Sequence, residues 1–301
     1  MTKIVITGGA GFIGSHLTDR LAQNSANEII IVDNFYRGKR ENLVQHADNP
    51  AVHIHDIDIR DYPALESICQ GADTIYHLAA QSNVMGSIDN VDYSFSTNVA
   101  GTVNVLKAAR ANGVRRTVFT SSREVYGEAQ YTPVDENHPK ESKNSYGASK
   151  AAGELYCNVF YNDFGVETAI LRLGNVYGTR DFGRVIPLWL GHAQSGTDLI
   201  VFGGKQLIDF VSIPQTVEAL IRASTAENII GTPINIGSGV GTPILELAER
   251  ILSLTQSGSK LDLQPARSVE VVKFVAQIDR MKALLDLCPP SDPLTHLADM
   301  V

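Results

Sequence analysis

The chain has 301 residues, of which 44% are hydrophobic and 19% are charged, and its formal net charge is −8 at pH 7. This length can bury a substantial core in one large domain or two ordinary ones. The acidic balance argues against a surface for nucleic acid or an anionic membrane, and no apolar stretch is long enough to span a bilayer. An anionic ligand would therefore need a local site.

Short β-branched runs alternate with helical patterns up to about residue 175. The runs are apolar on both faces, as strands covered by helices on two sides should be: KIVIT (3–7), EIIIV (28–32), AVHIHDI (51–57), DTIYHLA (73–79), RRTVFTS (115–121) and TAILRL (168–173). In the helical stretch 97–113, Val99, Val103 and Leu106 share one face and Gly113 marks the end. The alternation predicts an α/β fold with a doubly wound parallel sheet.

The remaining third is less regular. A loop and a helix carrying the single tryptophan, Trp189, are followed by two strand-like pieces around a Gly-Gly turn. In GTPILELAERILSL, Thr242 is the expected N-cap and Pro243 the expected first helical residue. We predict a domain over 1–174 and a smaller lobe over 175–301, partly interleaved, with a strand near 233–236 returning to the sheet.

The cysteines and the N-terminal sequence bear on location. Cys69, Cys157 and Cys288 are widely spaced and form no CxxC pair. Such a pattern is typical of reduced thiols in the cytosol rather than of a disulfide framework or a metal site. The start, MTKIVITGGAG, enters a strand and a glycine turn at once, so we expect no signal peptide there. We therefore predict a cytoplasmic protein without a metal.

A glycine-rich turn, TGGAGFIGSHL, follows the first strand and opens the first helix. Gly8, Gly9, Gly11 and Gly14 fit both GxGxxG and GxxGxxG, and this setting favours a pyrophosphate at the helix N-terminus. Asp33 lies at the end of the second strand, about 20 residues further on, where an acid holds an adenosine ribose. Because a carboxylate there would repel a 2′-phosphate, the sequence predicts NAD rather than NADP.

The stretch NSYGASK places Tyr146 and Lys150 on one face of a helix. The plain interpretation is a polar helix surface. Alternatively, the ammonium lowers the pKa of the phenol from about 10, as would a positively charged nicotinamide. The phenolate could then accept a proton from a sugar or alcohol hydroxyl while hydride leaves the carbon. Ser122, in TSSREVYGE, could hydrogen-bond the same hydroxyl.

Together these motifs resemble the extended short-chain dehydrogenases/reductases. Within them the chain is most similar to the NAD-dependent nucleotide-sugar epimerases and dehydratases, such as the UDP-glucose 4-epimerases. The resemblance covers nearly the whole chain and rests on the glycine turn, Asp33, HLAA, Asn98, SSREVYG, Tyr146-x-x-x-Lys150 and RLGNVYG. It implies a Rossmann domain that binds NAD, a lobe that binds a nucleotide sugar, and a homodimer formed through helices that include 97–112 and 145–163.

The resemblance also implies roles for residues by position. The catalytic group would be Ser122, Tyr146 and Lys150, with Glu124 as a further candidate. Cofactor contacts would come from the following residues: Gly8, Gly11, Phe12, Ile13, Gly14, Asp33, Asn34, Asp58, Ile59, Leu78, Ala79, Ala80, Asn98, Ser121, Tyr146, Lys150 and Leu173. Substrate contacts would come from Asn175, Arg184 and Arg267.

Two positions depart from the family pattern. Related dehydratases and uronate decarboxylases carry a glutamate where Glu124 stands, but the dehydratases usually place an acid before it, and here Arg123 precedes it. The pair could serve sugar chemistry, Arg123 could hold a uronate carboxylate, or the two could form a structural ion pair.

At the second position, Ile208 replaces the arginine of the family's Gln-x-Arg-Asp-Phe segment, which normally holds the diphosphate. The family's Arg-x-x-Glu/Asp segment is matched by Arg267 and Glu270. Arg184 or Lys205 could compensate for the missing charge.

The leading prediction is an NAD-dependent epimerase of a nucleotide sugar, similar to UDP-glucose 4-epimerase, which acts through a transient 4-keto sugar. Three alternatives remain open. A 4,6-dehydratase or UDP-glucuronate decarboxylase would use Glu124 after the same first step. A net oxidoreductase would act on a non-nucleotide substrate and exchange its cofactor. A non-catalytic NAD sensor is least favoured, because it would not need the tyrosine, lysine and serine together.

Overall fold

The computed structural model describes residues 1–82, 84–267 and 271–301. Its strands are β1 (Thr2–Thr7), β2 (Asn27–Asp33), β3 (Val52–Asp56), β4 (Thr74–His77), β5 (Arg116–Ser122), β6 (Thr168–Leu173), β7 (Asn175–Tyr177), β8 (Leu199–Phe202), β9 (Leu207–Ser212), β10 (Pro233–Ile236), β11 (Gly241–Pro243), β12 (Leu261–Gln264) and β13 (Lys273–Phe274).

The α-helices are α1 (Phe12–Leu21), α2 (Tyr62–Ile68), α3 (Val84–Asp89), α4 (Val91–Phe95), α5 (Thr102–Ala111), α6 (Ser145–Phe164), α7 (Val185–Gln194), α8 (Ile213–Ala223), α9 (Ile244–Thr255) and α10 (Asp279–Leu285). A π-helical segment, Ser96–Gly101, leads into α5, and short 3-10 helices cover Arg40–His46, Arg123–Val125 and Leu297–Met300. No helix in the described ranges combines the length and apolar character needed to cross a bilayer.

Seven parallel strands form one sheet in the order β10-β6-β5-β4-β1-β2-β3. All six strands predicted from the sequence are present, and the predicted doubly wound α/β fold is confirmed. The strand order reverses between β1 and β4. In such sheets ligands bind beyond the carboxyl ends of the strands at this reversal. The glycine turn, Asp33 and Ser122 all lie at that edge.

The sheet is buried on both faces, which explains its continuous apolar runs. Ile4 and Ile6 face one core, to which α1 and α8 contribute, whereas Val5 faces the other, to which α5 and α6 contribute. Alternate residues of a strand point to opposite faces, so a strand with two covered faces needs no polar positions. Each fully buried aliphatic side chain contributes about 1.5–3 kcal/mol to stability.

Residues beyond 174 take part in both the large sheet and smaller ones. The strand β10 pairs with β6 at the edge of the large sheet. Strands β11, β9 and β13 form a second sheet in which β7 also pairs with β9, and β8 pairs with β12. The division of the chain at residue 174 stays a prediction.

The predicted start of α9 is wrong. Thr242 belongs to β11, where it is paired with Ile208 of β9, and Pro243 is the N-cap residue rather than the first helical one. No side chain caps the helix; instead the backbone nitrogen of Ile244 donates to the Gln206 carbonyl at 2.9 Å. Pairing with β9 holds residues 241–243 extended, which outweighs the local preference of threonine for a cap.

Candidate active site

A cleft of about 580 Å³ opens at the carboxyl edge of the large sheet. Its walls come from the loops after the first six strands, from α6 and from segments beyond residue 174. Every predicted site residue lines it except Asn98: Gly8, Gly11, Phe12, Ile13, Gly14, Asp33, Asn34, Asp58, Ile59, Leu78, Ala79, Ala80, Ser121, Ser122, Glu124, Tyr146, Lys150, Leu173, Asn175, Arg184 and Arg267. Residues far apart in sequence thus share one surface.

The glycine turn leaves room for an anion at the start of α1. Gly8 has φ +74, and a methyl group there would lie 2.7 Å from the Ala79 nitrogen. A methyl group at Gly14 would overlap the Gly8 carbonyl. The N-cap, Gly11, offers no side chain, so the first N–H groups of α1 receive no side-chain cap. Such a terminus fits the pyrophosphate of a dinucleotide.

Two acids, Asp33 and Asp58, line the cleft beyond the glycine turn. The carboxylate of Asp33 accepts hydrogen bonds from the backbone nitrogens of Ala10, at 3.0 Å, and Phe35, at 2.9 Å, while its burial raises its pKa. Asp58 pairs with Arg60 and accepts from Asn34 at 2.8 Å, and the Arg60 hydrogen bond lowers its pKa to about 2. Asp33 thus stands where an acid of this fold can bind the ribose hydroxyls of an adenosine.

Asn98 lies behind the cleft rather than in it. Its side chain is buried in the π-helical segment, donates to the Gln81 carbonyl at 3.1 Å and to Ser149 Oγ at 2.9 Å, and accepts from the Gln81 nitrogen at 2.7 Å. Because both ends of the amide are occupied, we assign Asn98 no direct cofactor contact. It joins the loop after β4 to α6, the helix that carries Tyr146 and Lys150.

The catalytic group predicted from the sequence is assembled, but its electrostatics differ from the prediction. Ser122 hydrogen-bonds the Tyr146 hydroxyl. Burial nevertheless raises the pKa of Tyr146 above its usual value of 10, and the effects that oppose this rise come from Arg184, the Ser122 hydrogen bond and Arg123. Lys150 is not among the largest effects on this pKa, so its support of a phenolate beside the nicotinamide stays a prediction.

The position of Lys150 explains the difference. Its Nζ donates to the Thr120 carbonyl at 2.8 Å and lies 6.0 Å from the centroid of the Tyr146 ring. Complete burial lowers the pKa of Lys150 to about 8, while Cys157 and Glu154 raise it. An ammonium that titrates near neutral pH and is already hydrogen-bonded is a weaker support for a phenolate than the sequence spacing indicates.

Glu124 is engaged at both oxygens. Arg123 Nη2 lies 2.9 Å from Oε1, and Asn144 Nδ2 donates to Oε2 at 2.8 Å. Both members of the ion pair are largely buried and both line the cleft. The arrangement agrees with the structural ion pair considered from the sequence, and it leaves both oxygens of Glu124 with a partner.

The substrate end carries fewer cations than the family pattern predicts. Ile208 lines the cleft, whereas Lys205 is exposed and lies outside its lining. The Arg267 guanidinium stacks 3.6 Å from the centroid of the Phe202 ring, and Arg184 donates to the Val176 carbonyl at 3.3 Å. These two arginines line the cleft.

Asn175, the third predicted substrate residue, donates to the Asp209 carbonyl at 3.5 Å. Glu270, which completed the predicted Arg-x-x-Glu pattern, lies outside the described residues.

Sequence reasoning predicted the loop after β7 and named Arg184 in it, but it missed that Asp181 and Phe182 also line the cleft. Asp181 lies 3.7 Å from Arg184 Nε, and burial raises the pKa of this carboxyl to about 6. The Phe182 ring contacts Arg37, at 5.2 Å, and Lys39, at 4.5 Å. No periodicity indicates these contacts; the only signal was a run of mixed charges around a phenylalanine directly after RLGNVYG.

A family model for the NAD dependent epimerase/dehydratase family matches residues 4–237. The chain belongs to this family. It is therefore an enzyme that uses NAD, for which the glycine turn, Asp33 and Asp58 are the expected contacts. In the described residues no group of three or more His, Cys, Asp or Glu side chains could hold a metal ion.

Relatives within the family differ in reaction. A protein of Methanocaldococcus jannaschii, provisionally named UDP-glucose 4-epimerase, is 36% identical over 93% of this chain and 92% of its own length. UDP-glucuronic acid decarboxylase 4 of Arabidopsis thaliana is 33% identical over 94% of this chain, which spans 64% of that protein.

Among solved structures, the UDP-glucuronic acid 4-epimerase of Bacillus cereus, in complex with UDP-glucuronic acid and NAD, is 27% identical with a TM-score of 0.93, covering 98% of this chain and 96% of its own. Sugar epimerases and lyases thus share this architecture.

Proposed function

We propose that the chain is an NAD-dependent epimerase that inverts C4 of a nucleotide-diphosphate sugar. The observation that carries this proposal is the engagement of Glu124 by Arg123, at 2.9 Å, and Asn144, at 2.8 Å. A dehydratase or decarboxylase of this kind would need that carboxylate for the step after oxidation. An epimerase needs only the proton handling of Ser122 and Tyr146.

The chain's own groups would act as follows. Bound NAD supplies a reversible acceptor for the hydride of the substrate carbon. Tyr146, hydrogen-bonded by Ser122, takes the proton of the 4-hydroxyl as C4 is oxidised and returns it once the 4-keto sugar has presented its other face. Because burial raises the pKa of Tyr146, its hydroxyl is protonated at neutral pH until ligands add charge nearby.

The diphosphate would be held without the usual arginine at position 208. Arg184 and Arg267 line the cleft and supply two guanidiniums, each able to bind phosphate oxygens through paired N–H groups. Arg184 also lies 5.7 Å from the centroid of the Phe12 ring at the start of α1. We therefore assign Arg184 to the junction between the cofactor and the substrate.

The test is a product analysis. Purified protein is incubated with UDP-, dTDP-, GDP- and CDP-sugars, and products are identified by NMR. We expect a C4 epimer that forms without added cofactor and without net NADH. A 4-keto-6-deoxy sugar or a pentose product would show that the enzyme is a lyase, and stoichiometric NADH with a released oxidised product would show an oxidoreductase.

We also propose a homodimer. Helix α4 packs against α6, and each presents exposed apolar side chains four residues apart, Val91 and Phe95 on α4 and Leu155 and Val159 on α6. The exposed face of α5 carries basic side chains instead. Exposed apolar residues on adjacent helices favour self-association, so we assign the interface to α4 and α6, with α5 at its side.

A further inference from the structure

Arg123 has an environment that its ion pair with Glu124 does not account for. It is the first residue of the 3-10 turn after β5, its side chain is 14% exposed, and it lines the cleft. Among the described residues its contacts are Glu124 Oε1, at 2.9 Å, and the Phe274 ring, whose centroid lies 5.7 Å from the guanidinium carbon.

A guanidinium carries five N–H donors in a planar fork, and one carboxylate oxygen occupies a fraction of them. No nitrogen of Arg123 is among the fully enclosed atoms that lack a hydrogen bond. Each of its nitrogens is therefore either hydrogen-bonded or accessible to solvent, and the side chain lines the cleft. Glu124, which accepts from Asn144 at its other oxygen, anchors one end of the fork.

The location of Arg123 determines which part of a substrate it can bind. It follows Ser122 directly in the chain, and its charge acts on the Tyr146 hydroxyl. These observations place it near the reacting end of the cleft, where the charge of Arg184 also acts. The two arginines assigned to the diphosphate come from other segments, Arg184 from the loop before α7 and Arg267 from the region after β12.

In a hexuronic acid, the carboxylate is attached to C5, the neighbour of the carbon at which epimerisation occurs. We infer that Arg123 binds this carboxylate and that the substrate is a nucleotide-activated uronic acid. The inference rests on the proposed epimerisation at C4 and narrows its substrate class. It also gives each substrate charge a cationic partner, with two arginines for the diphosphate and one for the carboxylate.

The experiment measures kcat/KM for UDP-glucuronate and UDP-glucose in the full chain with NAD. The native protein should prefer UDP-glucuronate, and Arg123→Gln should lower the ratio of the two kcat/KM values by about 100-fold, as expected when one partner of a buried charge pair is truncated. Arg123→Lys, which keeps the charge but loses the planar fork, should lower the ratio by less. Lys205→Gln, which removes a cation outside the cleft, is the matched control.

The outcomes separate the two proposals. If the native protein prefers UDP-glucose, or if Arg123→Gln leaves the ratio unchanged, the uronate inference is overturned while epimerisation stands. If neither sugar is turned over and the wider screen of nucleotide sugars also yields no C4 epimer, the proposed function fails. Calorimetry then tests the role of Arg123 by measuring the binding of the two nucleotide sugars. The inference requires that UDP-glucuronate binds more tightly than UDP-glucose and that Arg123→Gln weakens only the binding of UDP-glucuronate. Should that variant fail to fold, Arg123→Lys carries the same comparison.

Discussion

Tyr146 shows how far a single residue depends on its surroundings. Four-residue spacing from Lys150 indicates that the lysine lowers the pKa of the phenol, yet burial raises this pKa and the opposing effects come from Arg184, Ser122 and Arg123. Lys150 instead holds the Thr120 carbonyl. In the family mechanism the tyrosine handles the proton, and here burial is the largest effect on its pKa.

Removing the Tyr146 hydroxyl tests this role. Tyr146→Phe should reduce turnover by about 10²–10⁴-fold, the usual contribution of a positioned acid–base group. NAD binding, measured by calorimetry, should change little because the ring is retained. Tyr131→Phe, which removes a hydroxyl that bonds Asp135 at 3.1 Å outside the cleft, is the control. Equal activity of native protein and Tyr146→Phe would contradict the mechanism.

Lys150 should titrate far below an ordinary lysine. NMR of the ζ-nitrogen, assigned by its loss in Lys150→Met, should give a midpoint of about 8, because burial disfavours the ammonium. The Glu154 carboxylate raises this pKa, so Glu154→Gln should move the midpoint lower. A midpoint at the ordinary lysine value in both proteins would contradict the described burial.

At the scale of elements, a buried ion pair joins α6 to β6. Glu154 accepts from Arg172 Nε, at 2.8 Å, and Nη2, at 2.7 Å, and from Ser121 Oγ at 2.6 Å. Arg172 also donates to the Tyr126 hydroxyl at 2.8 Å. Through its bond to Ser121 of β5, this pair holds α6, which carries Tyr146, against the strand that ends at Ser122.

Breaking that pair should be costly. Arg172→Ala leaves the Glu154 carboxylate buried without its bidentate partner, which typically lowers the free energy of unfolding by about 3–5 kcal/mol. Arg40→Ala, which breaks an exposed pair with Asp56, should change it by about 1 kcal/mol or less. Urea unfolding of the two variants measures the difference, and similar losses would refute the structural role given to Arg172.

At the scale of the whole molecule, the exposed apolar residues of α4 and α6 should bury themselves in a dimer. Leu155→Arg places a charge on that face and should shift the protein to a monomer in sedimentation equilibrium. Leu263→Arg, an equivalent change at an exposed leucine of β12, should leave the association unchanged. A monomeric native protein would overturn the proposed assembly.

Local sequence carried most of the fold and the cofactor turn. Apolar runs such as EIIIV predict strands because a doubly covered sheet demands apolar residues on both faces. The glycines near Gly8 follow from steric limits, since a methyl group there meets Ala79. These features depend on a few neighbouring residues or on a packing rule that repeats along the chain. The composition and spacing of the sequence therefore predict them.

Other features arose from contacts between distant parts of the chain. Thr242 became a strand residue through pairing with β9, and Asn98 turned away from the cleft to hold Gln81 and Ser149. The charge of Arg184, which lies 38 positions further along the chain, acts on the Tyr146 hydroxyl. Electrostatics and hydrogen bonding act over ångströms in space, so no sequence pattern specifies them until folding has brought the partners together.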